Sequence, residues 1–186
     1  MAERVCPWWL GYLLASPVRR WMMQSPEMLL APYVREAMTI LEPGPGMGFF
    51  TLPLARMVGP KGRVVALDVQ HKMLQGLRRR AQKAGILPRI ETRLVPTDSM
   101  QIDDLNGAVN FVLAFAMVHE LPSAERFFAE TASALRTDGV LLLAEPAGHV
   151  SPDAFESELE AARKAGLEVV SRPQIRRSLA AVLHKA

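Results

Sequence analysis

The chain has 186 residues, of which 49% are hydrophobic and 22% charged, and its net charge is +3 at pH 7. These values fit one globular domain with a buried core, and so small a charge does not by itself argue for a nucleic-acid partner. The single cysteine, Cys6, excludes an internal disulfide and a cysteine metal cluster, and no apolar run is long enough to span a bilayer. We therefore expect a cytoplasmic protein. The apolar residues 8–15 are not interpreted as a signal peptide, because no small-x-small cleavage site follows them.

Residues 1–37 precede the first predicted strand. Two serine–proline pairs in this segment are typical of helix starts, because serine caps a helix and proline suits its first position. They predict short helices over residues 17–24 and 26–33. We expect residues 1–37 to form a helical cap beside a larger domain that spans residues 38–186.

A strand, a glycine loop and the start of a helix come next. The strand at residues 39–41 ends at Glu42, Gly44, Gly46 and Gly48 alternate after it, and apolar residues at helical spacing follow. Glycines at every second position let the backbone turn sharply and approach a ligand closely. The helix that follows presents free N–H groups and the positive end of its dipole to the same place. The stretch predicts a site for a polar or anionic group, with an ordinary turn as the alternative.

A second predicted strand, at residues 63–68, ends in Asp68, which lies 68 − 48 = 20 residues after Gly48. Dinucleotide-binding folds place a ribose-binding carboxylate at this offset. The glycine spacing, however, is Gly-x-Gly-x-Gly and not the Gly-x-Gly-x-x-Gly of nicotinamide-binding proteins, and Glu42 precedes it. This pattern resembles the first motif of the class I S-adenosylmethionine-dependent methyltransferases, and the resemblance runs from about Met38 to the C-terminus.

Predicted helices and strands alternate along the rest of the chain. Helices are predicted over 71–84, 124–135 and 152–165, and strands over 90–95, 108–117, 140–144, 167–170 and 178–183. The alternation predicts an α/β fold with a doubly wound, mainly parallel sheet and helices on both faces. The short spacing of the last two strands suggests an antiparallel pair, and the resemblance implies seven strands in a Rossmann-like sheet with the last one antiparallel. The arginines at 78–80, with Lys83, are interpreted as a solvated helix face, and a nucleic-acid patch is the alternative.

Polar residues occupy the ends of the predicted strands, where ligands bind in such sheets. They are Glu42, Asp68, Asp98, His119 and Glu145. The resemblance implies S-adenosylmethionine as the cofactor. It places in the cofactor site Glu42, Gly44, Gly46, Gly48, Asp68, Val69, Asp98, Ser99 and Phe115. Asp98 is the residue expected to accept a hydrogen bond from the adenine amino group, although a turn-forming aspartate is the alternative.

The loop after the fourth strand contains His119 and Glu120 and lacks the Asn- or Asp-Pro-Pro-aromatic motif of enzymes that methylate the amino groups of bases or glutamine. It looks like the loop of small-molecule enzymes in the group that includes quinone-biosynthesis methyltransferases. His119 is a candidate general base or a hydrogen-bonding wall, and Glu120 either orients it or caps the next helix. The resemblance places Glu145 and His149 on the acceptor side, where His149 is a second catalytic candidate or simply exposed.

Three functions remain open at this stage. The chain is a small-molecule methyltransferase, an RNA or protein methyltransferase, or a non-catalytic protein that binds S-adenosylmethionine. No spacing of His, Asp and Glu resembles a metal-ligand set, and the lone Cys6 argues against a multi-thiolate arsenic site. The cap is expected to cover the cofactor with Trp8, Trp9 or Tyr33 facing it, or else to pack on the sheet. The acceptor atom and the oligomeric state are left open.

Overall fold

The computed structural model describes residues 25–185, and helices and strands are numbered along that part of the chain. Seven strands form one sheet: β1 Thr39–Pro43, β2 Arg63–Asp68, β3 Ile90–Leu94, β4 Val109–Phe115, β5 Leu135–Pro146, β6 Leu167–Ser171 and β7 Ser178–Lys185. Their order is β3-β2-β1-β4-β5-β7-β6, and β7 is antiparallel to both of its neighbours while the other adjacent pairs are parallel. The predicted mainly parallel sheet with an antiparallel last strand is confirmed.

Helices cover both faces of the sheet. They are α1 Pro26–Leu30, α2 Thr51–Met57, α3 His71–Lys83, α4 Ala124–Ala134 and α5 Pro152–Lys164. Phe128 of α4 and Leu159 of α5 are buried on one face, whereas Leu54 of α2 and Leu77 of α3 are buried on the other. The hydroxyls of Ser123 and Ser151 accept hydrogen bonds from backbone N–H groups in the first turns of α4 and α5, whereas Ser25, before Pro26 of α1, makes no such side-chain bond.

The described end of the predicted cap, residues 26–34, packs into the core. Leu30 and Val34 are buried against the face of the sheet that α2 and α3 cover. The ring of Tyr33 stacks on Phe111 of β4, with ring centroids 5.7 Å apart and planes within 2°. The prediction that Tyr33 faces the cofactor site is therefore wrong, because the ring packs against an apolar strand instead. Trp8, Trp9 and the helix predicted over 17–24 lie outside the described residues.

Strand β5 begins five residues earlier than predicted, directly after α4. Asp138-Gly139, a dipeptide typical of turns, lies inside the strand, where the pairing with β4 shifts from Val109–Leu135 to Phe111–Val140. The unpaired residues form a bulge in the strand. A side chain at 139 would press on the Leu135 side chain at 2.7 Å and the Arg136 carbonyl at 2.9 Å. The glycine thus permits a bulge, whereas the sequence pattern alone favoured a turn.

The sheet order reverses between β1 and β4, and a crevice opens at that point beyond their carboxyl ends. Within residues 25–185, no helix combines the length and the apolar character needed to cross a membrane.

Candidate active site

A cavity of about 520 Å³ lies at the carboxyl ends of the strands and falls within the size range of small-molecule sites. Loops after all five of the first strands contribute to it. Of the predicted site residues, those that line it are Glu42, Gly44, Gly46, Asp68, Val69, Asp98, Ser99, Phe115, His119 and His149. Gly48 and Glu145 do not line it. One cavity therefore brings together residues from positions 42 to 149.

The three glycines after β1 have positive φ angles of 70°, 54° and 85°, a region that glycine adopts without strain. They serve different purposes. A Cβ at Gly46 would meet nothing within 4 Å, so this position leaves room for a ligand. A Cβ at Gly44 would approach the Met117 side chain at 3.2 Å, and one at Gly48 would collide with Leu77 of α3. Gly48 therefore lets α3 pack under the loop and does not itself line the cavity.

Helix α3 holds the glycine loop from below. The guanidinium of Arg80 donates a hydrogen bond to the carbonyl oxygen of Met47, between the last two glycines. Gly76 of the same helix lies against the Met47 side chain, which a Cβ there would approach at 3.0 Å. Burial lowers the pKa of Arg80, and the charge of Arg56 adds to this effect. Arg80 is half-buried, so the prediction that residues 78–80 form a solvated face is wrong for this residue.

Glu42, at the end of β1, has a buried carboxyl group, one oxygen of which makes no hydrogen bond. Its side chain is 3% exposed, and its Oε2 atom has no hydrogen-bond partner. Burial raises the pKa of Glu42 to about 8 and the neighbouring charge of Asp68 also raises it, although the Thr51 hydroxyl opposes the shift. An unpartnered oxygen on a residue that lines a cavity is a natural place for a donor from a bound ligand.

Asp68, at the end of β2, is 8% exposed and is held by backbone donors. The N–H of Gln70 donates to its Oδ1 atom at 2.8 Å. Burial raises the pKa of Asp68 to about 6, although hydrogen bonds from the N–H groups of Gln70, Gly46 and Val69 oppose the shift. The carboxylate is thus fixed in the cavity wall next to the glycine loop, where a pair of ribose hydroxyls could donate to it.

The segment after β3 forms another wall, and Glu130 of α4 fixes it. The Ser99 hydroxyl donates to Oε1 of Glu130 at 2.9 Å, and the N–H of Met100 donates to Oε2 at 2.7 Å. Asp98 keeps an exposed carboxylate that lies 3.6 Å from Arg126. Phe115, at the end of β4, packs against Phe50 with ring centroids 4.6 Å apart. Sequence patterns did not reveal Glu130, because its partners lie about 30 residues away.

The histidine side of the cavity contains a preassembled group. Nδ1 of His119 bonds to Oε2 of Glu145, whose side chain is fully buried at the end of β5. The other oxygen, Oε1, accepts hydrogen bonds from the N–H groups of Val118 at 2.8 Å and Met117 at 3.2 Å. The ring of His149 lies nearby, with its centroid 6.2 Å from that of His119. The two candidates chosen separately from the sequence are therefore neighbours.

Two predictions about this side of the cavity are wrong. Glu145, and not Glu120, holds Nδ1 of His119, and the N-cap of α4 is Ser123. Glu145 itself does not face an acceptor, because it is buried beneath the loop after β4 and both of its oxygens are engaged. Among the described residues, no group of three or more His, Cys, Asp or Glu side chains could hold a metal ion.

The doubly wound sheet, the glycine loop after β1 and the carboxylate after β2 define a protein that binds a nucleoside-containing cofactor at the switch point. A family model described as "Methyltransferase domain" matches residues 40–139, which is more than half of the chain. The chain belongs to this family, and the fold is that of the class I S-adenosylmethionine-dependent methyltransferases.

Several relatives support this assignment. A solved S-adenosylmethionine-dependent methyltransferase from Aquifex aeolicus superposes with a TM-score of 0.85 at 22% identity, covering 98% of this chain and 100% of that one. An arsenite methyltransferase of Halobacterium salinarum is 29% identical over 107 residues, or 58% of this chain and 27% of that protein. A catechol O-methyltransferase of Mycobacterium tuberculosis is 43% identical over 61 residues, or 33% of this chain and 28% of that protein. The chain spans from about a quarter to less than half of the length of the curated relatives it matches.

The residues of the cavity fit S-adenosylmethionine, the cofactor of this family. The open space above Gly46 admits a ligand close to the backbone. The unpartnered Oε2 of Glu42 can accept from an amino group, and Asp68 can accept from ribose hydroxyls. The sulfonium cation also suits a cavity whose described lining carries carboxylates but neither Lys nor Arg.

Proposed function

We propose that the protein transfers a methyl group from S-adenosylmethionine to a small-molecule acceptor. One observation carries this proposal: a single cavity joins the glycine loop and Asp68 to the His119–His149 pair. When bound, S-adenosylmethionine supplies an activated methyl group on a positively charged sulfur. The protein then has to align the acceptor, exclude water and receive a proton.

The proposed roles divide along the cavity. Glu42 and the loop of Gly44, Gly46 and Gly48 hold the amino-acid end of the cofactor, with Gly48 acting through its packing on α3. Asp68 accepts from the ribose, and Val69 lies beside it. Asp98 and Ser99 bound the adenine pocket, and Phe115 closes it from below. His119 and His149 face the acceptor, and His119 serves as general base.

The acceptor is proposed to be a small molecule and not RNA. The described lining of the cavity has no Lys or Arg to pair with phosphates. Relatives with small-molecule names, among them the catechol and arsenite methyltransferases, agree with this choice. Arsenite is disfavoured as the acceptor here, because the chain has one cysteine. We also propose a cytoplasmic setting.

Calorimetric titration and a transfer assay test the proposal. We expect S-adenosylmethionine and S-adenosylhomocysteine to bind and NAD not to bind. Radiolabelled methyl groups should then pass to a small-molecule extract and not to purified RNA or denatured protein. Binding of NAD alone would refute the cofactor, and label incorporated only into RNA or protein would refute the acceptor class. Cofactor binding without transfer to any of these pools would favour a non-catalytic role.

A further inference from the structure

We propose that the acceptor is an uncharged compound with a weakly acidic hydroxyl group, of the phenol or enol type, and that Glu145 positions His119 to receive its proton. This inference rests on the proposed function and names the substrate class and a positioning residue for it. Three features support it: the partners of Glu145, the charges of the cavity and the apolar side chains that line the cavity together with the two histidines.

The partners of Glu145 determine which nitrogen of His119 carries the proton. A carboxylate offers only acceptors, so the ring donates its Nδ1 hydrogen to Oε2. The neutral ring must then keep its lone pair on Nε2, and the ring lines the cavity. The two N–H donors on Oε1 fix the carboxylate in place, so it cannot turn away from the ring. A histidine held in this way can accept a proton but has none to donate from Nε2.

The charges of the cavity restrict the acceptor. Its described lining contains neither Lys nor Arg and has five acidic residues, Glu42, Asp68, Asp98, Glu120 and Glu130, of which Glu42 is protonated near neutral pH because burial raises its pKa to about 8. A carboxylated or phosphorylated acceptor would meet repulsion from the ionised carboxylates, because Arg126, which pairs with Asp98 and Glu130, does not itself line the cavity. An aliphatic amine would be held by these carboxylates as its ammonium form, which has to lose a proton before its nitrogen can attack. Between these extremes, an uncharged hydroxyl compound enters without a charge penalty.

Apolar side chains near the histidines favour an aromatic or otherwise apolar body for this compound. Phe50, Met117, Leu121 and Pro146 line the cavity together with the two rings. A hydroxyl on such a body is a poor nucleophile while it holds its proton, so the transfer needs a base within reach, and the lone pair on Nε2 of His119 supplies one.

The methyl transfer needs no reactant beyond the acceptor hydroxyl, S-adenosylmethionine and the His119 base. The hydroxyl oxygen forms the new bond to the methyl carbon as the carbon–sulfur bond breaks, and that electron pair stays on sulfur. The hydroxyl proton passes to Nε2 of His119, and the resulting imidazolium remains paired with Glu145. Water takes the proton after the product leaves.

Glu145→Gln is a sharp test because it can keep the backbone bonds and reverse the bond to histidine. The amide oxygen can still accept from the N–H groups of Met117 and Val118, while the amide nitrogen now donates to Nδ1. The ring must then carry its hydrogen on Nε2 and can no longer act as a base there. His119→Asn removes the base directly. Glu160→Gln and His184→Asn, both at exposed positions away from the cavity, are the matched controls.

The measured quantity is the fraction of bound 4-nitrophenol that is ionised, and the absorbance of the phenolate reports it. The full-length protein is saturated with S-adenosylhomocysteine during the measurement. We expect the wild type and both controls to hold about tenfold more phenolate than free solution at the same pH, and Glu145→Gln and His119→Asn to lose this excess. Failure of 4-nitrophenol to bind, or equal ionisation in wild type and Glu145→Gln, would overturn the inference. If S-adenosylhomocysteine itself does not bind, the proposed function fails instead, so the two failures are distinguishable.

Discussion

The two sides of the cavity each contain a buried carboxyl group at a strand end, but the two groups are in opposite states. Glu145 has both oxygens engaged by protein donors, whereas Glu42 keeps one oxygen without a partner. The open space above Gly46 lies on the side of Glu42. On the histidine side, the protein itself supplies the hydrogen-bond partners of the buried carboxylate. On the glycine side, there is space next to the backbone and one carboxyl oxygen without a hydrogen-bond donor. The comparison suggests that the cofactor completes one side and the acceptor enters the other.

The largest effect should come from filling the space above the glycine loop. Gly46→Val places a branched side chain where the cofactor would approach the backbone, and we expect a folded protein without measurable binding of S-adenosylhomocysteine. Calorimetry and circular dichroism check the two halves of this prediction.

Gly107→Val is the matched control for backbone strain. Its φ is +65°, against +54° for Gly46, and a Cβ there would also meet nothing within 4 Å. Gly107 does not line the cavity, so this variant should lose a similar amount of stability but keep normal binding. If Gly46→Val binds as tightly as Gly107→Val, the loop is not the cofactor site.

The two sides also differ in how far the sequence predicts them. On the glycine side, Glu42, Gly44 and Gly46 belong to one contiguous motif, so local spacing was enough to place them. His119 and Glu145 are separated by 26 residues that include all of α4, and no periodicity indicates that they touch. The sequence alone therefore offers the adjacent Glu120, and not Glu145, as a residue that could orient His119.

The errors in the predicted fold also arise from contacts that local sequence patterns do not reveal. The strand alternation fixed the α/β class, but the bulge in β5 depends on how Gly139 packs against Leu135. The stacking of Tyr33 on Phe111 likewise pairs residues far apart in the chain. Local patterns predict elements and motifs, whereas tertiary packing decides which side chains reach the cavity.

A smaller effect should come from loosening the glycine loop from below. Arg80→Ala removes the hydrogen bond to the Met47 carbonyl, which contributes about 1.5–3 kcal/mol as a bond to a charged group, and we expect cofactor affinity to fall by only roughly three- to tenfold because Arg80 acts on the cofactor through the loop. Arg79→Ala, at an exposed position one residue earlier, is the control and should bind normally. Equal affinities of the two variants would show that Arg80 does not support the loop.

The next prediction concerns the dependence of stability on pH, and it leaves cofactor binding aside. Burial raises the pKa of Glu42 and of Glu158 to about 8, from an ordinary value of 4.5, and the charges of Asp68 and Glu145 add to the two shifts, respectively. Between these values the folded protein binds more protons than the unfolded chain, so the free energy of unfolding falls as pH rises. Each group contributes a slope of at most about 1.4 kcal/mol per pH unit. The two pKa shifts run from 4.5 to about 8. Raising the pH within this window, from about 5.5 to about 8, should therefore lower the urea concentration at the midpoint of unfolding.

Glu158→Gln sharpens this prediction, because Glu158 does not line the cavity and its substitution should flatten the slope without changing cofactor affinity. Carboxyls with lowered pKa, such as Asp104 hydrogen-bonded to Arg93, act in the opposite sense, but only below their ordinary value of 3.8. A urea midpoint that stays constant or rises over this range would contradict the assignment of buried, protonated carboxyls.

The division of the cavity is tested most directly by titrating S-adenosylhomocysteine into the wild type, Asp68→Ala and His119→Asn in one calorimetric series. Asp68→Ala loses charge-assisted hydrogen bonds worth roughly 1.5–3 kcal/mol each, so its affinity should fall at least about tenfold. His119→Asn changes only the acceptor side and should bind S-adenosylhomocysteine as tightly as the wild type. Unchanged affinity in Asp68→Ala, or an equal loss in both variants, would contradict a cavity with a cofactor side and a separate acceptor side.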